Sequence, residues 1–169
     1  MERLTHQWGH ELAATHFSRW LQNQLWIVPT SQSIHILMIS VVFGCALLIS
    51  LRLFGVSAAG RSVSTLVTTL VPWMYVALVV LLITGAIQTI TEPVRQFVAP
   101  DFWLKMLLIV VVVSLTIVFA RAVRRNAARW DSAATRPAGA RVFAAVSLAL
   151  WIAIIVCGRF IAYTWEAHL

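Results

Sequence analysis

Charge is what this sequence has least of. Only six Asp and Glu occur in 169 residues, and 11% of the chain is charged, against about a quarter in a soluble domain. A soluble fold with a charged shell is thereby excluded. Cysteine is equally scarce: Cys45 and Cys157 both fall inside apolar runs. They read as small packing residues rather than a disulfide or a metal pair. No Gly-x-Ser-x-Gly, no His-Glu-x-x-His and no glycine-rich phosphate loop is present, and the glycines of GVSAAGRS have the wrong spacing for one. Conventional hydrolase and nucleotide chemistry has no motif to rest on, so no catalytic residue is assigned. The N-terminus lacks a secretory signal pattern as well. Met1–Gln24 carries Glu2, Glu11 and the histidines His6, His10 and His16, with no apolar h-region and no small-residue cleavage site.

What the chain has instead is hydrocarbon. Sixty per cent of it is hydrophobic (60%), gathered into four runs: 26–51, 66–90, 102–120 and 142–162. Each is long enough to cross a hydrocarbon core of ~30 Å at ~1.5 Å per residue. Short connections make consecutive helices antiparallel neighbours. The expected fold is therefore all-α: an integral membrane four-helix up-down bundle over 26–165, preceded by a tail and an interfacial amphipathic helix over 1–25. In that helix Phe17, Trp20, Leu21 and Leu25 share one side. Trp26, Trp103 and Trp165 fall near span boundaries, where amphipathic rings prefer to sit. Pro72 is expected at the start of the second span, Pro93 and Pro100 bracket the next connection, and the third helix is expected to run on through Trp130.

The net charge of +7 is unevenly placed. Arg121, Arg124, Arg125, Arg129, Arg136 and Arg141 surround the connection between the third and fourth runs, against the single acid Asp131. Arg52 and Arg61 flank the connection between the first and second, which a four-helix topology puts on the same side. Short arginine-rich loops beside spans are a topology signal rather than a nucleic-acid surface. The expectation is a bacterial inner-membrane protein with both termini outside, whose partners are the bilayer and a periplasmic or membrane redox protein. Its apolar surface also suits a homo-oligomer, although no Gly-x-x-x-Gly specifies one.

Within the first run, PTSQSIHILMIS places an imidazole in hydrocarbon. His35, Met38, Val42, Cys45, Ile49 and Arg52 repeat in steps of three and four, an interior seam. Gln88 and Glu92 end the second span, Lys105 begins the third, and Arg159 lies near the outer end of the fourth with Tyr163 and Glu166 beyond it. By helical arithmetic His35, Gln88, Glu92, Lys105 and Arg159 meet in the outer quarter of the bundle. Ionisable groups inside spans face one another or a cavity. One reading is an ion-pair network, Glu92 with Arg159 or Lys105, in an accessory subunit. A second is a b-type haem with His35 on iron and Lys105 and Arg159 near the propionates, the sixth ligand being His16, Met38, Met106 or none. A third is copper on His35, Met38 and His16, with His6 and His10 as an outer pair.

The segments SIHIL, LRLFG, Pro72–Trp73, EPVR, FWLKM, RWD and GRFIAY carry a resemblance over roughly Leu12 to Tyr163. The chain resembles an uncharacterised bacterial family of small four-helix membrane proteins, a domain of unknown function, and is distantly similar to the membrane domain of CopD-type copper-resistance proteins. The resemblance implies the same fold, metal or redox work at the outer face, and a pattern falling on His35, Arg52, Trp73, Glu92, Lys105, Asp131 and Arg159. Related chains often have a histidine near the inner end of helix three, where this one has Ala120. A two-histidine inner site is thus excluded.

Overall fold

A computed structural model describes residues 2–56, 60–132 and 137–164, with side chains from 7 to 161 of these. Trp165, Glu166, Arg136 and the side chains of His6 and Tyr163 lie outside the described residues. The described chain is helical throughout: α1 (Glu2–Ala13), α2 (His16–Gln22), α3 (Ile27–Phe54), α4 (Val63–Thr91), α5 (Pro93–Val98), α6 (Pro100–Arg125), α7 (Ala127–Asp131) and α8 (Gly139–Thr164). Of these, α3, α4, α6 and α8 are long and apolar enough to span a membrane. Their outward surfaces remain hydrophobic, with Ile36, Leu37, Val79, Leu82, Leu107, Val110 and Val118 all exposed. Helices apolar on every side need a hydrocarbon environment as well as a packed interior. This is a multi-pass membrane protein.

The four long helices form a bundle in which α3 packs along α4 and α8, and α6 packs along α8 and more lightly along α4. Its centre is built of Val42, Ile49, Leu53, Val67, Val71, Met74, Val112 and Val123, with Ala46, Ala77, Ala120, Ala140 and Ala144 letting the backbones close in. Cys45 is buried in this core and Cys157 is half-buried, both as free thiols.

The ends of the helices are set by local chemistry. At the end of α3 the Gly55 N–H bonds to Arg52 O (3.2 Å) and the Val56 N–H to Leu51 O (3.0 Å). This double closure needs a left-handed residue, and Gly55 has φ +89°. Ser62 then caps α4 by accepting from the Thr65 N–H at 3.1 Å. Asp131 completes that cap from the end of α7. Its Oδ1 accepts from the Ser64 N–H (2.8 Å) and its Oδ2 from the Ser64 hydroxyl (2.6 Å).

Two sequence expectations fail at this end of the molecule. Pro72 lies well inside α4, not at its start. The caps from Ser62 and Asp131 begin the helix upstream, and the ring, on the exposed face, removes only the bond to the Thr68 carbonyl. Helix α6 stops at Arg125 rather than running through Trp130. Asn126 breaks it at φ −148° and accepts from the Arg129 N–H (3.3 Å) to start α7. Trp130 then folds edge-on against Phe119, which stacks on Phe143.

The Asp131 cap has a pH signature. Desolvation acts to raise the carboxyl, but the hydrogen bonds from Ser64 and the neighbouring contributions of Ser62 and Val63 outweigh it, leaving the group below the usual carboxylate range. A depressed folded-state pKa gives stability that is present above the unfolded pKa and lost as pH falls through the folded one. Asp131→Ala is expected to cost about 1 kcal/mol, the usual worth of a helix cap. The difference from wild type should vanish in acid, read by thermal unfolding in detergent. An equal difference at neutral and acid pH would dissociate the carboxylate from the effect.

At the opposite end, two short helices occupy the N-terminal segment where the sequence suggests one. The Ser18 hydroxyl donates to Ile90 O (2.7 Å), and the Gln22 amide donates to Thr91 O (3.0 Å) and to Ser18 Oγ (3.1 Å). These bonds serve carbonyls at the end of α4 that have no partner within the helix. Ser18 and Leu21 face inward, while Phe17, Trp20, Leu25 and Trp26 are exposed.

Candidate functional site

His35 lies eight residues into α3, about 12 Å along its axis at ~1.5 Å per residue. The ring is half-buried against α4, with Nδ1 at 2.7 Å from Thr84 Oγ1. The Thr84 hydroxyl has one proton, and Val80 O (2.9 Å), Leu81 O (3.3 Å) and Nδ1 itself all lie within its reach. With that proton on Val80 O the imidazole donates through Nδ1–H, and in the other tautomer Nδ1 accepts it; in both the ring is tethered at Nδ1. Among the described residues nothing donates to Nε2. The neighbouring Gly85 leaves the ring edge open: a Cβ there would stand 3.6 Å from His35 Cε1. A ring oriented by a bond at one nitrogen, with the other free, is the arrangement that a ligating histidine requires.

Lys105 enters the same layer from α6. Its charge is close enough to act on the His35 ring, and on its other side it reaches the vicinity of Cys157. The lysine stem runs beside Gly158, where a Cβ would lie 3.8 Å from Cδ. The ammonium stands 5.6 Å from the Phe102 ring centroid, within reach of a cation–π attraction. All four long helices thus contribute to one polar layer: His35 from α3, Thr84 and Gly85 from α4, Lys105 from α6, and Cys157 and Gly158 from α8. Gln88 follows Thr84 by one turn, and its amide nitrogen is buried without a hydrogen-bond partner.

Other residues singled out in the sequence fall elsewhere. Glu92 does not pair with Lys105 or Arg159. It sits at the break after α4 (φ −134°, ψ 59°) and forms its ion pair with Arg95, one turn on in α5. Arg159 is exposed on α8. Met38 is half-buried against the core, and His16 is exposed at the start of α2. Among the described residues no three His, Cys, Asp or Glu side chains converge on a point that would hold a metal ion. Arg52 lies in the last turn of α3, where a cation complements the helix dipole. Trp73 points outward from the bundle, and Asp131 is the cap of α4. Ala120 is buried in the core near the C-terminal end of α6 and offers no ligand there.

From sequence, Thr84 goes unremarked and Cys157 reads only as a packing residue. Thr84 was reachable: it precedes Gln88 by one helical turn and adjoins Gly85, so it shares their stripe. Cys157 had no comparable signal. Two hollows accompany the layer. A cavity of about 10 Å³ lies among Ser50, Thr116, Ser147, Met74, Phe119 and Phe143, room for about one water. A wider cleft of about 360 Å³ opens at the end of the bundle that carries α1 and α2, lined by Gln22, Thr91, Glu92 and Arg95 among others.

The chain belongs to a family of unknown function, DUF6644, whose model matches residues 11–164. No curated protein and no solved structure matches it.

Proposed function

We propose that this protein lies in the bacterial inner membrane with both termini outside, and that it carries a b-type haem at His35 for electron transfer to a periplasmic or membrane redox partner. The observation that carries the reading is the His35 ring tethered at Nδ1 by Thr84, with no hydrogen-bond partner at Nε2 among the described residues. The ring is reached at a half-exposed position rather than inside the packed core, and Gly85 leaves its edge uncovered. These features fit an axial ligand. Lys105, and Arg159 nearer the surface, would take the propionates. When bound, the haem supplies one-electron iron chemistry. The chain holds the imidazole in one orientation through Nδ1 and sets cationic groups at the same end of the bundle. The described residues supply no second imidazole in this layer, so His35 is the sole histidine ligand in this reading.

The arginines of α6, α7 and α8 support the orientation through the positive-inside rule. A cysteine introduced at exposed Ser132 should be modified by an impermeant reagent only after the cytoplasmic face is opened. Labelling in intact cells would reverse the topology.

A second reading has an observation of its own. The His35–Thr84 bond ties α3 to α4, as it would in a purely structural subunit that contacts another protein. Copper, the third, needs Met38 and His16 to come to His35. Pyridine haemochrome assay and elemental analysis of protein made with ample haem and copper separate them. About one haem per chain supports the first reading. Copper alone supports the third, and neither supports the second.

A further inference from the structure

The cleft at the outer end stands apart from the His35 layer and has a chemistry of its own. It is floored by the break between α4 and α5 (Thr91, Glu92, Pro93, Val94, Arg95) and walled by Ala13 and Gln22 from the N-terminal helices. Its volume, about 360 Å³, is that of a small ligand site. Charges of both signs meet there, Glu92 and Arg95, as an ion pair. That pair leaves capacity unused. Arg95 Nε is buried with no hydrogen-bond partner. Gln22 spends its amide protons on Thr91 O and Ser18 Oγ, so its carbonyl oxygen remains an acceptor. The level in the membrane is marked by Phe17, Trp20 and Trp26, exposed on the adjoining segment, where aromatic rings settle among lipid headgroups.

A donor beside a carboxylate and a free amide oxygen is complementary to a zwitterion, and not to an anion alone. A ligand with only a phosphate would meet Glu92 as a like charge. We propose that this cleft binds the headgroup of an ethanolamine phospholipid, the phosphate on Arg95 and the ammonium between Glu92 and Gln22 Oε1. The acyl chains run down the hydrophobic exterior of the bundle, which the position at the interface allows. This assignment is independent of any cofactor at His35.

The test is native mass spectrometry of the delipidated full-length protein, offered equimolar dioleoyl phosphatidylethanolamine and dioleoyl phosphatidylglycerol in detergent. The wild type should retain one ethanolamine lipid, with about tenfold preference, equivalent to 1.4 kcal/mol. Glu92→Gln should bring the preference close to one, and Arg95→Ala should lose the retained lipid. Arg95→Lys, which keeps the charge, should recover part of it and serves where the alanine variant folds poorly. Equal retention of both lipids by the wild type, no retained lipid, or an unchanged preference in Glu92→Gln would overturn the proposal. Binding of soluble O-phosphoethanolamine without either lipid would overturn the lipid as its source.

Discussion

In the proposed haem site, His35→Ala is expected to abolish cofactor binding completely while leaving a folded bundle. The two consequences separate because the side chain has two bonds of unequal worth. Its link to Thr84 is an interhelical hydrogen bond in a membrane, worth about 0.6 kcal/mol on average and about 1.7 at most. Losing it strands no donor, since the Thr84 hydroxyl has Val80 O within reach at 2.9 Å. The stability change should therefore stay below about 2 kcal/mol. Ligation is all-or-none by comparison, because the described residues place no other imidazole in that layer. The pair of measurements is haem content and the unfolding midpoint in detergent. A variant that keeps its haem would remove His35 from the site. A variant that loses several times the stability of one membrane hydrogen bond would favour a structural role.

Gly9→Leu should lift α1 from α5. Gly9 is buried at the contact between these helices, and a Cβ there would stand 3.0 Å from Val94 Cα, 3.4 Å from Val94 N and 3.5 Å from Pro93 O. Those atoms are backbone, which cannot swing aside as a side-chain end does. Gly9→Ala gives a sharper sign. In a free helix, alanine would stabilise by about 1 kcal/mol. Overpacking costs typically about 1–3 kcal/mol, so the contact should win and the alanine variant should be the less stable. Trypsin cleavage after Arg19, exposed on α2, reads the docking. It should be modestly faster in Gly9→Ala and much faster in Gly9→Leu. An alanine variant cleaved more slowly than wild type would show that the close approach is absent.

The architecture was legible because membrane spans announce themselves by length and charge deficit alone. Where the spans begin and end was less so. Pro72 looked like a start signal, yet Asp131, distant in the sequence, sets that helix end by reaching Ser64. Nothing local marks such a contact. Of the polar cluster, His35 and Lys105 do share a layer, since each is placed by counting turns along a regular helix. Counting fails for Glu92, because α4 ends at Thr91 and the chain turns toward Arg95. The tether of the His35 ring is the Thr84 hydroxyl of the neighbouring helix, which is a property of α3 and α4 together.

The most direct test of the account is the visible absorption spectrum of detergent-purified wild-type protein, produced with ample haem and recorded oxidised and then dithionite-reduced. With haem on His35, a Soret band that shifts and sharpens on reduction is expected. A spectrum without features above the tryptophan band would contradict it, and His35 would then serve only to hold α3 against α4.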